Sequence, residues 1–559
     1  MSRTLTPATR LNTLRKQAKR WLKSLRAGDA EARTRLQLAL GAVPEPPGLR
    51  DVQLGLAREY GLPGWTALKA AVEDLAQSRL SRAAKLDLVL RNGWGGDLAA
   101  ARKILERDPG LAKADLAAAC ACADLEEVER RLARDPEAAG LRLPPLDWAP
   151  LLYLAYSRLP GQASPDTLAI ATLLLDQGAD PNASFDDGWG NPFTALCGVI
   201  GQGEGVKPAH PHAEALAELL LDRGAEPFDT QALYNTSIVG DDTSWIARLY
   251  ARSASRGETV RWNDPDWKPR LGGRVHVGAM DYLLGNAVGQ NHLARAAWLL
   301  EHGANPDAPH AYTGRPMHAQ AQLDGFAEML ALLERHGAKP VKLAGPEGFQ
   351  AACLRMDEAA ARRMLADDPA LIEDGRPLIH AGYLGRADVV ALLLSLGADV
   401  NARAEDGATA LHRAVQSGSL PAVRTLVEAA ADIDVREGRY RGTPFSWSLV
   451  LGKPEVFAYL APLSRDVRPL VNAAMADRLE QVLAEDPGLA NFVLDADDAP
   501  TPLFCLPDDE AAAAAMAAQL LRRGADPRVR NAAGRTPAEQ ALLRGLDEAA
   551  EVIERWGES

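Results

Sequence analysis

The sequence predicts an all-α chain: a small helical module followed by a solenoid of stacked helix–turn–helix units with short β-hairpin fingers. Three observations carry this. A leucine-pair and glycine-turn signature recurs along the chain. A Thr/Pro helix-start signature lies upstream of several copies. Composition favours helix over sheet, with only 5% aromatic residues among 559 and abundant Ala, Leu and Arg.

Six segments share the first signature: LLLDQGADPNA (173–183), LLLDRGAEP (219–227), LLEHGANPDA (299–308), LLERHGAKP (332–340), LLLSLGADVNA (392–402) and LLRRGADPRV (520–529). The step from Gly303 to Gly337 is 34 residues, and that from Gly397 to Ala430, in the degenerate copy LVEAAADIDV, is 33. A short helix ends in leucines that face a neighbour. The glycine then takes a left-handed conformation that closes the helix, and Asp/Asn-Pro opens a turn and an extended finger. Ala430 stands where the glycine belongs, so this repeat end is expected to be shaped differently or to be slightly strained.

The second signature is clearest at Thr409-Ala410-Leu411-His412-Arg413-Ala414. Partial copies are Pro316–Ala319, Pro377–Ala381, Pro192–Leu196, Thr443–Phe445 and Thr536–Ala538. Thr with Pro starts a helix, and small residues let the next helix approach. Together the two signatures resemble the ankyrin repeat, most fully over 376–436. A variant unit ends in Asp-Pro instead of the glycine turn, as LERDPGLA (105–112), LARDPEAA (132–139), LADDPALI (365–372) and LAEDPGLA (483–490). With these included, the resemblance covers residues 81–559 as about 13 or 14 units, with an insertion near 253–278. A unit of this kind cannot bury its own apolar face and gains stability by stacking. Polar residues such as Glu548, Glu551 and Glu554 give the final unit a solvent-facing cap in this reading.

Residues 1–80 read as a separate basic helical module. Leu11, Leu14, Ala18, Leu22 and Leu25 share one helix face. Further helices are expected from Asp29 to about Leu40, over Leu49–Glu59, and over Trp65–Ala76. The stretch LAREYGLPGWTALKAAVEDL (56–75) resembles a module that precedes repeat arrays in bacterial proteins, which implies no chemistry. The net charge is −13, yet residues 1–80 carry 14 Lys/Arg against 7 Asp/Glu, and the first 26 hold eight basic residues and no acid. An acidic body argues against general nucleic-acid binding. Residues 10–26 remain suited to a nucleic-acid or anionic-surface contact, or to a transit peptide. No secretory or membrane-spanning stretch is evident, so a cytoplasmic monomer is expected.

Chemistry-bearing constellations are absent. His318, His380 and His412 sit at helix starts, and His302 and His336 precede turn glycines; all five read as structural. His210-Pro211-His212 reads as a surface-loop pair. Cys120 and Cys122 are not spaced as zinc ligands. The glycines of RNGWGGD (91–97) lack the Lys-Ser/Thr of a phosphate loop. No catalytic residue, cofactor or metal is expected, and the protein reads as a non-enzymatic scaffold for an unidentified protein partner.

The ankyrin resemblance implies binding through the fingers and the concave first-helix surface. The candidates are Phe185, Asp187 and Trp189; Tyr312; Arg403 and Asp406; and Arg436, Arg439 and Tyr440. Trp189 and Tyr440 lead the set, since aromatics and Arg dominate binding hot spots. Packing on the next finger is the competing role. Trp262 and Trp267 in the insertion are candidates for partner contact, or for a cover over a degenerate repeat.

Overall fold

A computed structural model describes the chain apart from residues 1–2, 7–8, 10, 79, 161–163, 187, 189–191, 204–206, 265–274, 495–498 and 559. The expected all-α repeat architecture is present. Two compact units divide the chain: Leu80–Leu343, and Met1–Arg79 together with Ala344–Ser559.

In the second of these, helix pairs follow one another with short turns. Arg376–Tyr383 pairs with Ala387–Ser395, Ala410–Ser417 with Leu420–Glu428, Pro444–Val450 with Pro454–Leu460, and Val467–Asn472 with Ala476–Glu485. Thr443 caps its helix through the Ser446 N–H at 3.0 Å, while Ser446 Oγ accepts from the Thr443 N–H at 2.8 Å. Thr536 and Glu539 make the same reciprocal box. The first helices approach closely. A Cβ on Gly382 would sit 2.5 Å from the Ala410 carbonyl oxygen. The leucine pairs Leu392/Leu393 and Leu520/Leu521 are buried.

All six turn glycines adopt positive φ, from 87° at Gly337 to 102° at Gly303. Ala430 takes the same conformation at φ 64° without glycine's freedom. The residue after the turn has a second duty. Asn401 Oδ1 accepts from the Asp432 N–H at 2.8 Å, and Asn182 Oδ1 from the Glu226 N–H at 2.7 Å, each hooking one repeat to the next. The Asp-Pro units close differently. After Glu358–Asp367 and Ala476–Glu485 the chain enters 3-10 turns at Pro369–Ile372 and Pro487–Asn491. Asp368 and Asp486 accept from the N–H two residues on.

The N-terminal module has the expected four helices: Leu11–Arg26, Ala30–Leu40, Leu49–Glu59 and Trp65–Ser78. Trp21 lies at its core and donates Nε1–H to the Ala32 carbonyl at 3.0 Å. The Arg35 guanidinium lies 3.6 Å above the Trp21 ring and is bidentate to Glu59. This module packs on the end of the array. Arg15 pairs with Asp547 at 2.7 Å, Lys19 with Glu554 at 2.7 Å, and Arg26 with Glu551 at 3.1 Å. The last helix, Asp547–Glu558, is therefore covered by the basic module and is not the solvent-facing cap expected.

The Leu80–Leu343 unit contains the one two-stranded sheet among the described residues, Ser184–Asp186 against Pro192–Thr194, with Phe185 opposite Phe193. In that unit the Ser244–Ser255 helix is followed by a 3-10 turn at Thr259–Asn263, within the stretch expected to be an insertion.

Candidate functional site

The site is built where fingers and first helices of consecutive repeats meet, between Asp406 and Cys505. Its lowest layer is His412, fully buried. Nδ1 accepts from the Thr409 N–H at 3.2 Å, and Nε2–H donates to the Gly442 carbonyl at 3.2 Å. This fixes the neutral tautomer and ties one helix start to the next finger. Burial pushes the ring down to about 4, with the Gly442 carbonyl opposing it. Trp447 stands edge-on to His412, and a Cβ on Gly442 would lie 2.7 Å from the Trp447 ring.

The finger above is shaped by Glu437, which the sequence did not single out. Its buried carboxylate accepts from the N–H groups of Arg439 at 2.6 Å, Tyr440 at 2.7 Å and Gly442 at 3.0 Å. One carboxylate thus organises the turn that holds Arg439, Tyr440 and Arg441 outward. The only local signal is an acid two residues ahead of Arg-Tyr-Arg-Gly. The preceding finger stacks beneath it: Gly438 N–H donates to the Asp406 carbonyl at 2.7 Å, and a Cβ on Gly407 would meet Gly438 N at 2.9 Å.

Several predicted contact residues turn out to hold the fingers together. Arg436 pairs with Asp466 at 3.2 Å, donates to the Arg441 carbonyl at 2.8 Å, and lies 4.7 Å over the Phe492 ring. Its guanidinium is engaged within the fold. Arg403 donates to the Arg436 carbonyl at 3.4 Å. Asp406 accepts from the Ala408 N–H at 3.0 Å and pairs with Arg413. Burial pushes the Asp406 carboxyl up, but these partners outweigh it and hold it below the usual carboxylate range.

Tyr440 is different: its side chain is 69% exposed, with the Arg439 guanidinium 5.1 Å over the ring. Val450 at 82% and Leu451 are exposed nearby at the end of their helix. These residues border a groove of about 930 Å³, floored by Trp447, Pro469 and Phe504.

The remaining candidates lie elsewhere. Trp262 is fully buried, donating Nε1–H to Ser253 Oγ at 2.9 Å and packed between Phe228 and Tyr250. It is a core residue, which fits the covering role and not the partner contact among the two expected of it. Phe185 faces inward, stacked on Trp148 at 4.5 Å and Phe193 at 5.4 Å. Tyr312 is half-exposed, and its hydroxyl is 2.6 Å from that of Tyr282. Asp187, Trp189 and Trp267 lie outside the described residues. The histidine pair expected on a surface loop is also corrected. His210 is buried and pushed down to about 3 by desolvation, and its Nδ1 accepts from the His212 N–H at 3.0 Å.

Burial pushes the Cys122 and Cys353 thiols up to about 12, which leaves no thiolate there at neutral pH. Among the described residues no group of three or more His, Cys, Asp or Glu is placed to hold a metal ion. No helix there is long and apolar enough to cross a membrane.

The groove falls within and just beyond the part of the chain that known proteins share. The family model described as ankyrin repeats (3 copies) matches residues 349–437 and 378–469. The mouse B-cell lymphoma 3 protein homolog is 34% identical over 144 residues, 24% of this chain and 32% of that protein. Human ankyrin repeat and SOCS box protein 16 is 28% identical over 191 residues, 33% of this chain and 36% of that protein. The human transient receptor potential cation channel subfamily A member 1 is 27% identical over 163 residues, 26% of this chain and 14% of the channel. This chain therefore spans about a third or less of these relatives. Residues 349–469 thus match the ankyrin-repeat family, and the described chain is all-α in the manner of ankyrin repeats.

Proposed function

We propose that this protein is a non-enzymatic interaction scaffold that holds a protein partner in the finger-and-helix groove around Tyr440. Ankyrin repeats generally mediate protein–protein contacts. The observation that carries the reading is the co-location of exposed Tyr440, Val450 and Leu451 with Arg439 and Arg441 along one groove. Exposed aromatic and aliphatic groups beside arginines are the ingredients of a binding hot spot. In this reading residues 81–559 form the array and residues 1–80 cap it. Five free cysteines fit a cytoplasmic setting. The resemblance of residues 56–75 supports a bacterial source. An anionic-surface role for residues 10–26 is the weaker reading, because Arg15, Lys19 and Arg26 already pair with carboxylates of the last helix.

Affinity capture with the intact chain tests this, run beside a Tyr440→Ala/Val450→Ser variant. Loss of one discrete protein in the variant is expected. Equal retention of every captured protein by both forms would remove the groove from the account.

A further inference from the structure

We propose that the groove takes an acidic peptide segment carrying at least one aromatic or branched aliphatic side chain. This rests on the interaction reading above and adds the chemistry of the occupant.

The argument is one of uncommitted charge. Three carboxylates line the groove, and each is already engaged. Asp406 holds Arg413, Asp466 holds Arg436 and the Thr443 hydroxyl, and Glu437 is saturated by backbone N–H groups. Arg439 and Arg441 project from the same turn and have no carboxylate partner among the described residues. The turn that presents them is held from inside by Glu437, so the backbone from which both side chains project is set before anything binds. Guanidiniums are well suited to carboxylates, which they bind in a planar fork.

The chain as a whole is acidic, at −13. That charge does not cancel a local site, because screening acts over about 8 Å at physiological ionic strength. The site therefore selects acidic partners within an otherwise repulsive surface. The apolar half of the groove sets the second requirement. Val450 and Leu451 extend the wall begun by Tyr440, and an acidic chain without apolar side chains would leave it wet. Two uncommitted guanidiniums beside an apolar wall fit a peptide better than a nucleic acid, whose binding needs a longer track of cations.

The test is selection of short random peptides displayed on phage against the intact protein. Selected peptides are then measured by fluorescence anisotropy on wild type and on Arg439→Glu/Arg441→Glu. Enrichment of net-negative peptides with an aromatic or aliphatic residue is expected. The double reversal should weaken them by roughly tenfold or more, and added salt should weaken them on wild type. Both substitutions lie on an exposed turn, and an unchanged melting profile confirms folding. The milder Arg439→Ala/Arg441→Ala variant should show a smaller loss. Enriched peptides without net acidity, or acidic ones indifferent to the reversal, would overturn the acidic occupant while leaving an interaction groove. A single-stranded oligonucleotide that binds these arginines more tightly than any selected peptide would overturn the peptide. No enrichment at all would sink the groove reading and this inference together.

Discussion

Arg15, in the first helix, and Asp547, opening the last, form an ion pair between residues 532 positions apart. Nε lies 2.7 Å from one carboxylate oxygen and donates to the other at 2.9 Å. The pair is asymmetric. Asp547 keeps 2% side-chain exposure and Arg15 keeps 16%. Burial pushes the Asp547 carboxyl above its usual range, with Arg15 opposing.

That asymmetry predicts which truncation hurts more. Arg15→Ala strands a buried carboxylate and should cost about 3 kcal/mol. Asp547→Asn leaves an arginine that water can reach and should cost less. Lys19→Ala, at a more exposed pair, should stay within about 1 kcal/mol. Urea unfolding of the three variants orders them; equal losses would mean that burial of the pair is immaterial.

His412 gives the fold an acid-sensitive tie. Its folded value near 4 lies below the ordinary value of about 6.5 in an unfolded chain. The folded state thus binds fewer protons in this window. The stability His412 contributes is whole above about pH 6.5 and drains as pH falls toward 4, by up to about 3 kcal/mol. His210 adds a loss of the same sign from the other unit. The slope of stability against pH should be shallower between those limits in His412→Gln than in wild type. Parallel slopes would show that His412 does not titrate on unfolding.

Ala430 pays a left-handed strain that its glycine counterparts avoid. Ala430→Gly should raise stability by about 1 kcal/mol, and Gly397→Ala should lower it by about the same. Denaturant midpoints of the pair check both signs at once.

Gly382 is required by packing, not by φ. Its missing Cβ would fall 2.5 Å from the Ala410 carbonyl oxygen, backbone that cannot rotate away. Gly382→Ala should cost about 1–3 kcal/mol. A neutral result in thermal unfolding would mean that the two first helices slide apart freely.

Local rules in the sequence were legible where they act over a few residues. The helix over Leu49–Glu59 is found with the expected bounds, and the one expected to begin at Asp29 starts there, with Asp29 as its cap. The turn glycines announced themselves because only glycine takes that conformation freely. Some turns inside repeats did not, because Ala123, Met356 and Ala474 adopt positive φ where Gly385 and Gly418 stand in other repeats. Trp262 stays open between two roles in sequence because a tryptophan reads the same whether its loop turns inward or outward. Arg436 is open for a related reason: the carboxylate that engages it, Asp466, is 30 positions away. The Arg15–Asp547 pair left only the excess of basic residues at the start as its trace. In the candidate groove Tyr440 and Arg439 stood out on residue type. Glu437 did not, because its work is done on backbone N–H groups that no side-chain pattern records.

The most direct test of the account places a photo-crosslinking amino acid at position 440 or 450 of the intact chain, and at Leu543 as an exposed control in the same unit. The account predicts one discrete protein adduct from positions 440 and 450 that is absent from position 543. Adducts of equal yield at all three positions, or at 543 alone, would contradict the claim that the groove around Tyr440 is where a partner sits.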